Sequence, residues 1–200
     1  MNIIEEEGGE YNSQTFDDLN LSGKKITFKE FDCCVFKECD FSEAALNKSK
    51  FVGCHFIRCN LSLAKVQQSQ FFDVVFEECK AVGIDWTMAS WSQYVFCSPI
   101  KFYKSIINDS SFFGLSLEEL EVEECKAHDV DFREGNFSSA NFCNTDFTNS
   151  LFNKTNLTAA SFIDAINYDI DIYFNEVSKA KFSRLEAVRL LECLDIDLVD

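Results

Sequence analysis

Three kinds of residue in this chain could carry chemistry. Ten cysteines and two histidines could hold a metal or supply a thiolate, and 34 carboxylates could act as acids, as bases or as a charged surface. Cys39, Cys59 and Cys79 recur every twenty residues, but no CxxC pair occurs, and zinc wants ligands paired in that way. His55 and His128 fall at outward positions with no Cys or carboxylate at ligand spacing, so they are expected to be plain surface residues. No glycine-rich phosphate loop or nucleophile motif is present. An enzyme is therefore not expected, and neither is a cofactor or a metal.

What remains is charge. The stretch SLEELEVEEC crowds Glu118, Glu119, Glu121, Glu123 and Glu124 together, and the formal net charge is −16. Such a chain is not expected to bind nucleic acid, whose phosphates require Lys and Arg. It suits a partner with a basic surface. The acidic start MNIIEEEGGE is too poor in apolar residues for a signal peptide, and no run approaches a membrane span. The expectation is a cytoplasmic protein, with its cysteines reduced and no membrane partner.

Positioning these carboxylates requires an unusual scaffold. In FVGCHFIRCNL, Phe51, Phe56 and Leu61 are five apart, a spacing that matches neither the 3.6 period of a helix nor the 2.0 period of a strand. Stepping by five from Leu21 to Phe96 meets a large apolar residue at nearly every position, and so does stepping from Phe102 to Phe162. These two series account for most of the 22 phenylalanines. Two places before each lies a smaller residue, such as Cys34, Ala44, Ser49, Cys54, Ser105 or Thr145, and between the two there is often Asp or Asn. Positions i and i−2 face inward together, one large and one small, which fills an interior without voids. The cysteines read as small hydrophobes in that set. The step is six once, between Phe96 and Phe102, and it contains the only proline, Pro99. Around it the small position holds Ile84, Tyr94, Ile100, Leu115 and Leu120, so distorted coils are expected between about residues 82 and 122.

Runs such as CDFSEAALNKSKF, CNLSLAKV and ANFCNTDFTNSLFNKTNLTAASF resemble the pentapeptide-repeat family. That resemblance implies an all-β fold, a right-handed quadrilateral β-helix with four pentapeptides per coil and the large residue centred on each wall. The expected organisation is an acidic segment or cap over 1–20, the β-helix over 21–172 with a one-residue register break at 97–101, and a C-terminal helix and tail over 173–200. The repeat amounts to about seven coils, or about 34 Å. In the tail, Ile166, Tyr168, Ile170 and Ile172 alternate as in a strand. Ser183 and Glu186 have capping-box spacing for a short α-helix of about ten residues. The apolar face formed by Leu185, Val188, Leu191 and Leu194, continued by Ile196 and Leu198, exceeds what capping requires, and it points to a homodimer.

The tail FSRLEAVRLLECLDIDLVD and the stretches CKAVGIDWTMASW, KSIINDSSFFGL and ASFIDAINYDIDI are similar to one branch of the family. Its members protect DNA gyrase from poisons and include albicidin-resistance and plasmid-borne quinolone-resistance proteins. The resemblance implies that the rod imitates duplex DNA, that a C-terminal helix joins two rods end to end, and that the partner is DNA gyrase or its relative topoisomerase IV. The quinolone-resistance members carry long projecting loops; the unbroken register from 21 to 96 and the single six-residue step leave no room for one here. Counting positions modulo twenty puts Glu38, Asp40, Glu43, Glu77, Glu78, Glu118, Glu119, Glu121, Glu123 and Glu124 on two adjoining walls, with a balanced charge on the other two. The competing reading is an interaction or scaffold module with no role at gyrase.

Overall fold

The computed structural model describes residues 8–91 and 99–196. Its chain winds into a parallel-strand β-solenoid of about eight turns with one short helix near the C-terminus. Each coil has four walls. Wall A contains β1 (Gly9–Asn12), β3 (Lys29–Asp32), β5 (Lys50–Val52) and β7 (Gln70–Phe72). Wall B contains β2 (Thr15–Asp17), β4 (Val35–Lys37), β6 (His55–Ile57), β8 (Val74–Glu77), β9 (Ile100–Tyr103) and β10 (Glu121–Glu123). Walls C and D are held by isolated parallel bridges, for example Asp40 to Asn60 and Lys25 to Ala45. Residues 9–17, expected to belong to a separate cap, already form the first coil, which explains an eighth turn.

The large residues stack into columns. On wall B the rings of Phe16, Phe36, Phe56, Phe76 and Phe102 lie nearly parallel, with successive centroids 4.6–5.0 Å apart. The small residues, the cysteines among them, are buried in the core as expected, and they do more than fill space. Thr145 Oγ1 donates to the Val122 carbonyl and accepts from the Cys125 N–H, and Ser49 Oγ does the same for Ile26 and Lys29. Cys39, Cys59 and Cys79 donate weakly from sulfur to the carbonyls of Phe16, Phe36 and Phe56. Where Ser, Thr or Cys fills the small position, it gives a core carbonyl such as that of Ile26 or Phe36 a side-chain partner. Burial pushes the Cys54 and Cys125 thiols up to about 12, which keeps them unreactive.

Few glycines were available for corners. The corners are instead made by ordinary residues in the left-handed region, among them Glu38, Glu43, Glu78, Glu119 and Glu124, with φ between 52° and 59°. Each costs about 1–2 kcal/mol. Stacking holds them there, as where the Glu38 N–H meets the Ile57 carbonyl at 2.9 Å.

The register break differs from the sequence expectation. Phe76 pairs with Phe102, and Asp85 with Ser111, each 26 residues apart where a coil takes twenty. Six residues are therefore inserted between Trp91, which closes wall A beside Phe71, and Ile100, which opens β9. The insertion falls at residues 92–99, of which 92–98 lie outside the described residues. Tyr94 and Phe96 lie outside the described residues. The coils on either side are regular: Ile84, Ile100 and Leu120 are fully buried. The coils of Ile84 and Leu120 carry Ala81 and Ala127 at a large position, conserving volume.

The end also departs from expectation. Ile166 is exposed whereas Tyr168 and Ile170 are buried, because the chain turns from wall C to wall D there rather than running on as one strand. The helix is wound 3-10 fashion over Glu186–Leu194, not as an α-helix from Ser183. Its expected capping residues are used elsewhere. Ser183 Oγ accepts from the Asp164 N–H at 2.8 Å, and Glu186 Oε1 accepts from the Asn167 N–H at 2.8 Å. Together with Arg189 Nε on the Tyr168 carbonyl, they close the open edge of the last coil.

Candidate functional site: acidic walls and an apolar end

The 26-residue step moves every later residue by one wall relative to the sequence count. Val122 stacks on Phe102 and hence on wall B. Glu121, Glu123 and Glu124 therefore join Glu38, Glu77 and Glu78 on wall B, while Glu118 and Glu119 follow Leu117 on wall A, in the column of Phe137. Asp40 and Glu43 stand on wall C. The ten acids thus spread over three walls, not two.

The structure separates them by what they touch. Cations oppose Glu38, which takes Arg58 at 2.7 Å, and Glu124, which has Lys104 at 4.0 Å. Glu77 is 3.0 Å from His55 Nε2, and His128 Nε2 is 2.9 Å from Asp146. Both histidines have carboxylate partners one coil on, contrary to expectation. Neutral donors hold the run around β10: Asn136 donates to Glu118 at 2.9 Å, Asn141 to Glu123 at 3.0 Å, and the Tyr103 hydroxyl to Glu121. Burial, then the hydrogen bond to Glu121 and its charge, raises the Tyr103 hydroxyl well above its ordinary value. Neutral donors orient these carboxylates without cancelling their charge. Asp40 accepts from the Ser42 N–H and from Asn60.

Wall D is the counterpart. Its first three coils carry Lys24, Lys25, Lys48 and Lys65 and no carboxylate. Further along, Arg133 pairs with Asp131 and Lys154 with Glu134. Counting each wall by itself would have found this lysine strip, whose coils precede the break; the count from sequence showed balance because it pooled wall D with wall A before the break and with wall C after it.

At the C-terminal end, Leu185, Val188 and Ile196 are exposed, Leu185 to 89%, while Leu191 and Leu194 are half-buried. Leu198 lies outside the described residues. The helix residue that packs on the core is Leu190, which the heptad-like reading of the tail passed over.

The family model for the pentapeptide repeat region matches residues 29–98 and 96–162. The chain belongs to the pentapeptide-repeat family. Solved members share its fold. One structure of QnrB1, a plasmid-mediated fluoroquinolone resistance protein, is 20% identical over 96% of this chain and 98% of its own, with a TM-score of 0.62. A second QnrB1 structure is 23% identical over 96% of this chain and 92% of its own, with a TM-score of 0.61. HetL, a pentapeptide-repeat protein involved in heterocyst differentiation regulation from Nostoc sp. strain PCC 7120, is 13% identical over 87% and 86%, with a TM-score of 0.67. No curated protein sequence matches the chain. At these identities the likeness concerns the fold.

Proposed function

We propose that this pentapeptide-repeat protein is a DNA-mimicking ligand of DNA gyrase, or of a related type II topoisomerase, that protects the enzyme from poisons such as albicidin or quinolones. The observation that carries this reading is the run Glu118, Glu121, Glu123: carboxylates held by neutral donors, which orient them without cancelling their charge. A rod of about eight coils is about 38 Å long, and two joined end to end about 77 Å. Duplex DNA of the latter length carries about 45 charges, at one per 1.7 Å. A dimer of this chain carries twice −16, within a factor of two. The exposed apolar helix face supports that end-to-end dimer.

The test is gyrase supercoiling with the purified protein, titrated with and without albicidin and a fluoroquinolone. Rescue at low protein is expected, with inhibition at higher protein. The E118K/E119K/E123K variant should need about tenfold more protein at low salt, a difference that shrinks as salt rises. No effect on gyrase at micromolar protein would leave the second reading, an interaction module. HetL favours that reading only by showing that the same fold serves a different role.

A further inference from the structure

The four walls do not carry the same charge. Walls A, B and C hold the candidate acids, whereas the first three coils of wall D hold Lys25, Lys48 and Lys65, all exposed, and no carboxylate. Chain order around each coil is A, B, C, D, so in a closed square wall D stands opposite wall B. Lys48 lies 5.2 Å over the exposed ring of Phe28, which holds its ammonium on the outer surface. The acids of wall D, beginning with Asp85, occur only in later coils. Two of them, Asp131 and Glu134, are neutralised by Arg133 and Lys154.

A square rod of uniform charge could enter a cationic groove in four rotational settings. We propose that wall D is a rotational key. Its lysines repel the lining of such a groove, so the rod is received only with wall B seated on the floor, walls A and C along the sides, and wall D facing out. The partner surface that fits is a basic groove enclosing three sides of a rod, not a flat basic patch, which would accept walls A, B or C equally. The device is specificity by repulsion: like charges brought together cost enough to exclude the wrong setting. It rests on the gyrase reading above.

Two matched positions report the setting. Ile163 on wall B and Phe113 on wall D each follow the central phenylalanine of their coil, and they are 43% and 42% exposed. With a photo-cross-linking phenylalanine analogue at one or the other, cross-linking to purified gyrase is expected to be about tenfold greater from position 163 than from 113. In the K25E/K48E/K65E background the two yields should become comparable, because all four walls are then acidic. The K25Q/K48Q/K65Q background should give an intermediate ratio. Equal yields in the unaltered chain, or a ratio unmoved by lysine reversal, would overturn the key while leaving gyrase binding in place. No cross-link from either position, with no effect on supercoiling, would overturn the gyrase reading and the key together.

Discussion

Phe56 and Phe182 occupy the same position on wall B, one in the middle of the rod and one at its end. Phe56 is fully buried between Phe36 at 4.6 Å and Phe76 at 5.0 Å. Phe182 is half-buried and has one partner in its column, Phe162 at 5.1 Å. An interior coil is stabilised by two neighbours and the last by one, which is the general condition of a solenoid. The difference predicts the largest effect. Phe56→Ala should cost about 3–5 kcal/mol, from lost transfer energy and the cavity left between two coils. Phe182→Ala should cost about 1–2 kcal/mol, since half of the side chain already meets water. Chemical denaturation of the two variants checks this; equal losses would break the comparison.

Polar groups sharpen the same contrast. Interior backbone groups find partners in the next coil, whereas the last coil borrows side chains, and Asp146 joins the two arrangements. Its Oδ1 accepts from Asn167 of the last coil at 2.9 Å and from Thr148, and its Oδ2 faces His128. Partial burial alone would raise its carboxyl, but the hydrogen bonds from Asn167, Thr148 and His128 win and hold it at about 2. A depressed carboxyl contributes stability that is present above its unfolded value of 3.8 and is lost as pH falls through about 2. The contribution is at most about 2 kcal/mol, less solvent screening of a side chain 27% exposed. Asp146→Asn should therefore lower stability at pH 7 and flatten its fall between about pH 4 and pH 2. Denaturant midpoints across that range, measured on both proteins, test the sign; an unchanged pH slope would remove Asp146 from the account.

The period of five was legible because every fifth residue must fill the same square interior, and Phe31, Phe36 and Phe41 announce it plainly. The register after residue 91 was not. An insertion of six residues imitates one more repeat plus a single slip when Phe96 falls near the expected place, and only the pairing of Phe76 with Phe102 distinguishes the two. That one ambiguity misplaced Glu118 to Glu124 by a wall. The donor role of Thr145 and Ser49 was equally hidden, because a small residue at that position satisfies the volume requirement whatever its chemistry. Ser183 and Glu186 matched a helix signature by spacing, but the unpaired N–H groups of Asp164 and Asn167 compete for the same oxygens and take them.

The smallest effect on the fold tests what the apolar end is for. Leu185 is 89% exposed and Val188 is 50% exposed, so neither contributes much to the coil beneath, where Leu190 does the packing. Leu185→Glu with Val188→Glu should change the stability of the isolated chain by no more than about 0.5 kcal/mol, as for surface positions generally. If these side chains join two rods, the same change places two carboxylates per chain in an apolar contact, and uncompensated charges there are costly. Light scattering should then show the variant at 22.9 kDa and the unaltered chain at twice that mass. Leu190→Glu is the contrast within the same helix: it should loosen the clasp on the last coil and lower the melting temperature even in the monomer. If the unaltered chain were monomeric, the exposed leucines would belong to some other contact, and the rod would present half the length proposed for its partner.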